Sequence, residues 1–204
     1  MHKVLKKIFY FFEGILLFFL YLLIRPMPIN LSSRILGKVG SFIGPKLDIS
    51  KEAMQNIKIA MPEKNKKERK KIVKGMWENL GRVIGEYPHL QKLVKKEKSN
   101  KIIKKGKKNL LLVRKKNIPA IFFSAHLANW EVAPMTAIKN NIPVLTIFRK
   151  PNNPLVAWLL NFFRSNVPLT PKGTEGAKQL ILSLRKGISI GLIVDQKMND
   201  GIKV

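Results

Sequence analysis

The sequence predicts an α/β fold, a mostly parallel sheet with flanking helices, preceded by an N-terminal hydrophobic anchor helix and a helical layer. Three observations carry that prediction. IPAIFFSA (118–125), IPVLTIF (142–148) and ISIGLIV (188–194) are short β-branched or aromatic runs bounded by Pro, Gly or polar residues, as buried strands of a parallel sheet are. Helical stretches near 130–140, 153–165 and 174–186 lie between them, and the order β-α-β-α-α-β implies right-handed crossovers. Ahead of the strands, residues 50–95 repeat apolar side chains at helical spacing, and an apolar run opens the chain.

The opening run, from Ile8 to Ile24, has Glu13 as its only ionisable member. Lys3, Lys6 and Lys7 precede it, and Arg25 and Pro26 follow. At ~1.5 Å per residue it is about 26 Å long, the short end of what crosses a hydrocarbon core of roughly 30 Å. It either spans a bilayer or lies shallowly with Glu13 near the interface. No small-residue cleavage pattern follows it, so a retained anchor is expected rather than a removed signal peptide. A buried core helix is the competing reading, but a helix apolar nearly all round needs apolar cover on every side. The 204 residues then divide into an anchor, 1–28, and one domain, 29–204. Lys and Arg crowd the downstream region, which places that domain on the cytoplasmic face, held electrostatically by anionic lipid.

Residues 31–47, with Gly37, Gly40, Gly44 and Pro45, read as a short helix closed by a turn. Ser50 precedes a second helical period that stops at Pro62. Residues 65–95 read as one helix whose face is Ile72, Val73, Met76, Leu80, Val83 and Ile84, with Met76 and Trp77 in the core. The lysine runs at 95–108 and 114–116 read as a solvated, membrane-facing or loop surface.

Composition narrows the chemistry. Lys and Arg number 39 against 12 Asp and Glu, a formal charge of +27, which favours a polyanionic partner: nucleic acid, anionic lipid headgroups or an acidic carrier protein. A compositional bias toward Lys, Ile and Asn accounts for any single lysine run equally well. A nucleic-acid-binding protein would interleave aromatic with basic residues on a sheet or groove, whereas Phe and Tyr here concentrate in the N-terminal run. Cysteine is absent, which removes disulfides, thiolate metal sites and a Cys nucleophile. Only His2, His89 and His126 remain, too few for a multi-histidine metal site, so an imidazole general base must be one of them.

His126 stands where the first strong strand ends, the edge at which open α/β sheets collect ligands. Five residues on comes Glu131, across a strand-to-helix junction that lets the two side chains turn toward each other. A carboxylate on one ring nitrogen would fix the tautomer that leaves the other free to accept a proton. Taken alone, such a histidine reads more readily as a hydrogen-bonded loop or core residue.

The hexapeptide His126–Glu131, HLANWE, resembles the His-x4-Asp/Glu signature of glycerolipid-type acyltransferases. It is most similar to the HxGNWE form of the bacterial lipid A late acyltransferases, the lauroyl and myristoyl transferases. FRKPNNPLVAWLLNFFRSN (148–166) resembles that family's Arg-Pro-x-x-Asn-Pro block and basic-ended helix, with Lys150 inserted between Arg149 and Pro151. KGTEGAKQLILSLRKGISIGLIVDQ (172–196) resembles the block closing on an Asp-Gln or Asp-His pair, here Asp195 and Gln196, and WENLGRVIGE (77–86) the helix before the domain. Family members continue further, so the resemblance implies a chain incomplete at its C-terminal end.

The resemblance implies that His126 is a general base oriented by Glu131, taking a proton from an acceptor hydroxyl as it attacks an acyl thioester. By position Arg164 matches the family's functional arginine, for the oxyanion or an acceptor phosphate, and Arg149 is a second phosphate candidate. Asp195 would position Arg164 or the acceptor, or else cap the next turn, and Asn129 is a ligand candidate that reads more readily as a helix N-cap. No cofactor and no metal are implied. The implied partners are an acyl-acyl carrier protein, an anionic glycolipid acceptor and membrane lipids, at the bacterial inner membrane and without nucleic acid. Acyltransferases acting on another glycolipid or a glycerophospholipid, and a catalytically silent membrane-associated fragment, are the rival readings.

Overall fold

The computed structural model describes residues 3–95, 105–116, 118–164 and 167–195. The chain forms two compact units, one of Met1–Phe18 with Leu90–Val204 and one of Phe19–His89. Helix α1 (Lys3–Ile24) runs from the first into the second. Its stretch Val4–Ile24 is long and apolar enough to cross a membrane, by length and composition.

In the helical unit, α2 (Ile29–Ile43), α3 (Ile49–Ala60) and α4 (Lys66–Glu86) follow the expected periods. Asn65 starts α4 with a capping box: its Oδ1 accepts from the N–H of Lys67 and Glu68, and Glu68 Oε2 accepts from the Asn65 N–H at 2.8 Å. The single helix expected over 65–95 is instead divided. Pro88 supplies no backbone donor, and a 3₁₀ turn over Tyr87–His89 separates α4 from α5 (Leu90–Lys95).

The face that α4 buries also differs from the apolar one expected. Val73 and Val83 are buried, but Ile72, Met76 and Ile84 are exposed, because α2 and α4 approach along small residues instead. A Cβ on Gly81 would lie 2.1 Å from the Leu36 carbonyl oxygen, and one on Gly40 would lie 2.4 Å from that of Trp77. Trp77 turns its indole N–H to Ser50 Oγ at 2.7 Å, and that hydroxyl donates to the Gly44 carbonyl at 2.7 Å. Ser33 Oγ donates to Glu86 Oε1 at 2.8 Å.

The other unit holds a four-stranded, all-parallel sheet in the order β1-β4-β2-β3: β1 (Ile121–Ser124), β2 (Val144–Phe148), β3 (Leu169–Pro171) and β4 (Ser189–Ile193). Helices α6 (Lys107–Lys116), α7 (Val132–Lys139), α8 (Pro154–Arg164) and α9 (Thr174–Arg185) flank it, which is the α/β architecture the sequence predicts. A core of Ala137, Ile142 and Val144 takes in Leu110, Val113, Phe122 and Ile138. Lys139 Nζ closes the end of α5 by donating to the carbonyls of Val94 and Lys95, at 2.7 and 2.8 Å.

The basic run at 114–116 lies exposed on α6, the solvated surface expected of it, while most of the run at 95–108 lies outside the described residues. Two expectations are revised here. β3 was not anticipated, because two prolines bracket a very short run; Pro171 is tolerated there because β3 is an edge strand. Finally, β1 is not buried: Ile121 and Phe123 are 57% and 78% exposed, since among the described strands only β4 lies beside it.

The glycine contacts give a paired test. Nothing lies within 4 Å of a Cβ on Gly75, so Gly75→Ala should raise stability by about 1 kcal/mol through helix propensity. Gly81→Ala, whose Cβ meets backbone, should lower it by roughly 1–3 kcal/mol. Denaturant melts of both variants check the contrast.

Candidate functional site

Residues widely separated in the chain meet because β1 and β4 are parallel neighbours. Their register pairs Ser124 with Ile193, and the Val194 N–H extends the ladder to the Ser124 carbonyl at 3.0 Å. Two residues beyond each strand stand His126 and Asp195. The main chain turns tightly at His126, with the Leu127 N–H reaching the Ala125 carbonyl at 2.7 Å.

Asp195 grips that turn twice: Oδ2 accepts from the His126 backbone N–H at 2.7 Å, and Oδ1 lies 2.8 Å from the ring Nδ1. An ionised carboxylate only accepts, so Nδ1 carries the proton and Nε2 keeps its lone pair. Partial burial pushes the Asp195 carboxyl up most strongly of any single influence. The backbone and ring hydrogen bonds from His126, with the charge the ring carries when it is protonated, outweigh it and hold the carboxyl below its ordinary 3.8. The edge of Trp130 closes on the imidazole, ring centroids 4.9 Å apart at 68°.

Glu131 has a different partner. Its Oε2 accepts from Arg164 Nε at 2.8 Å and its Oε1 from Nη2 at 2.6 Å, a bidentate pair in which both residues are buried. Glu131 stands at the start of α7 and Arg164 at the end of α8, so each charge also complements its helix dipole. The Arg164 guanidinium lies over the Phe148 ring, 4.4 Å from its centroid.

The expected partner of His126 is therefore replaced. The sequence pairs His126 with Glu131 and leaves Asp195 to position Arg164 or the acceptor, or to cap a turn; the structure pairs His126 with Asp195 and Glu131 with Arg164. The reason is the strand order. Inserting β4 beside β1 delivers the residue after β4 to the residue after β1, an adjacency no local pattern encodes.

The remaining candidates are placed as follows. Arg149 is exposed directly after β2. Asn129 is not the N-cap of α7, a position that Glu131 takes; its backbone carbonyl accepts from the Val132 N–H at 3.2 Å. Gln196 lies outside the described residues. Among the described residues no group of His, Cys, Asp and Glu is arranged to hold a metal ion.

Sequence reading also passed over Ala128. Its φ is +45°, the left-handed region that favours glycine, and it occupies the place of Gly in the HxGNWE pattern. The motif's glycine is thus explained by backbone geometry, and this chain carries strain there.

Two measurements check the site's physics. Ala128→Gly should stabilise the fold by about 1 kcal/mol in denaturant melts, by releasing the left-handed strain. Because the folded-state value of Asp195 is depressed, its contribution to stability is present above pH 3.8 and is lost as pH falls through the lowered value. Carboxyl NMR should place its titration below 3.8 in the parent and return it toward 3.8 in His126→Ala.

The family described as bacterial lipid A biosynthesis acyltransferase matches residues 2–204 of the chain. No individual curated protein matches it.

Proposed function

The chain belongs to the bacterial lipid A biosynthesis acyltransferase family, a family of O-acyltransferases, and from that premise we propose that His126 is the general base of an acyl transfer onto a hydroxyl of a lipid A precursor. The donor in this reading is an acyl-acyl carrier protein. The single observation that carries it is the Asp195 carboxylate on Nδ1, which leaves the Nε2 lone pair as the proton acceptor.

The reaction follows from that tautomer. As the acceptor oxygen attacks the thioester carbonyl carbon, its proton passes to Nε2 and the negative Asp195 stabilises the imidazolium. Collapse of the tetrahedral intermediate breaks the carbon–sulfur bond, and the imidazolium returns the proton to the leaving thiolate. Asp195 is thus the orienting acid. Glu131 acts one step removed, holding Arg164 rigid by both guanidinium edges. Arg164 then presents a fixed positive charge, for the developing oxyanion or an acceptor phosphate. Arg149, exposed where β2 ends, is the second candidate for an anionic acceptor.

Surroundings of matching chemistry support this reading. A charge of +27 suits both an acidic carrier protein and a phosphorylated glycolipid. With 1–28 as anchor and 29–204 as acyltransferase domain, the enzyme works at the cytoplasmic face of the inner membrane, where the abundant Lys and Arg meet anionic lipid.

Acyl transfer by the membrane-reconstituted protein, with acyl-acyl carrier protein and a lipid A precursor, tests the assignment. His126→Ala should lower the rate by about 10²- to 10⁴-fold, the usual contribution of a general base. Asp195→Asn should lower kcat while leaving KM nearly unchanged, and full activity in the His126→Ala protein would remove the proposal.

A further inference from the structure

Helix α8 has two unlike faces. Ala157, Leu159, Phe163 and Arg164 are turned inward, each below a tenth exposed, whereas Leu155, Trp158 and Phe162, spaced by one turn, are 43%, 61% and 49% exposed. Trp158 and Phe162 stack, centroids 6.1 Å apart and planes 16° from parallel, so the strip is continuous. An apolar strip of this kind marks a contact surface rather than scattered exposure.

What covers it follows from where α8 begins. Asn153, 3% exposed, donates from Nδ2 to the Tyr10 carbonyl and to Glu13 Oε2, both at 2.8 Å, while its Oδ1 accepts from the Leu155 N–H at 2.9 Å. One turn of α1 further on from Tyr10, Gly14 lets Leu155 pack closely, since a Cβ there would lie 2.5 Å from Leu155 Cδ1 and 2.8 Å from its Cβ. The first turn of α8 is therefore fixed to α1 at Tyr10, Glu13 and Gly14. That also explains the one acid in the apolar run: Glu13 is held by a buried amide.

The attachment lies near the middle of the apolar stretch. At ~1.5 Å per residue, Glu13 is about 14 Å from Val4 and about 16 Å from Ile24. Whether α1 crosses the bilayer or lies within one leaflet, Leu155, which packs on Gly14 and is still exposed, meets lipid, and Trp158 and Phe162 continue the same exposed strip along α8. Trp is the aromatic that membrane interfaces favour, and the exposed Arg149 and Lys150 just before α8 suit a headgroup layer.

We propose that Leu155, Trp158 and Phe162 form a lipid-contacting surface, seated in the bilayer beside α1, by which α8 brings the catalytic unit down onto the membrane. Arg164 lies at the other end of the same helix, about 15 Å along its axis. The Glu131–Arg164 pair is thereby held within one helix length of the lipid, so an acceptor lipid is engaged with its acyl chains still in the membrane. The proposal rests on α1 being embedded in lipid, and its test separates the two.

The chain has no cysteine, so single cysteines label cleanly. Full-length protein carrying Trp158→Cys, Leu16→Cys or Arg185→Cys, the last an exposed position on α9, is labelled with an environment-sensitive fluorophore in vesicles containing phosphatidylglycerol. Labels at 158 and 16 should shift to the blue, be quenched by brominated acyl chains and lose quenching by aqueous iodide, and the label at 185 should do the reverse. Iodide quenching at 158 with lipid quenching at 16 overturns the α8 surface and leaves the anchor standing. Iodide quenching at both positions overturns the membrane reading itself. Two further results also sink the proposal: shielding at 158 without quenching by brominated lipid, which assigns the strip to a second copy of the chain, and equal lipid quenching at 158 and 185.

Discussion

Pairing of β1 with β4 is the constraint on which the site depends. Parallel pairing in one register sets Ser124 opposite Ile193, and with it the meeting of His126 and Asp195 two residues beyond. The side chain then fixes more than distance. By taking the backbone N–H of His126 as well as the ring Nδ1, Asp195 holds main chain and imidazole with one carboxylate, so the ring's orientation follows from the turn it stands on. A one-residue slip of either strand would send these groups to opposite faces of the sheet.

A second pair stabilises the other end of the same segment. Glu131 and Arg164 are both buried, and a buried charge is tolerable only when its partner satisfies it. Bidentate geometry does so, and the helix ends on which the two residues stand add dipoles of the right sign. Between the two pairs runs HLANWE, whose left-handed residue, Ala128, turns the chain from strand toward helix. The motif is therefore short because it links two fixed points, the β1–β4 edge and the α7–α8 pair.

The two units use different packing. In the helical unit, glycines and serines let α2 and α4 approach until backbone meets backbone, leaving several of their larger apolar side chains exposed, Phe42 and Met76 among them. In the unit that holds the sheet, Val144 and Phe122 on the strands pack with residues of α6 and α7. Such outward apolar residues are costly in water, and they occur in a chain that opens with a helix of membrane length and belongs to a family acting on lipid A precursors.

Periodicity and turn chemistry were enough to read most elements from the sequence. Three of the four strands, the helices between them, the break at Pro62 and the apolar opening helix reflect local preferences that each segment carries with it. The candidate residues that the structure brings into two pairs, His126, Glu131, Arg164 and Asp195, all stand at the ends of elements recognisable in the sequence. Their partnership was not legible there. Whether Asp195 or Glu131 faces the imidazole depends on which strand lies beside β1, and strand order arises from long-range pairing that leaves no mark on neighbouring residues. For the same reason Ile121 and Phe123, apolar enough to read as core, are exposed on an edge strand, and Met76 gives way to glycine at a helix contact. The sequence by itself determined the elements and the chemical inventory, because those follow from residues near one another in the chain; only the tertiary structure decided which acid holds the histidine, because that depends on what lies beside what in space.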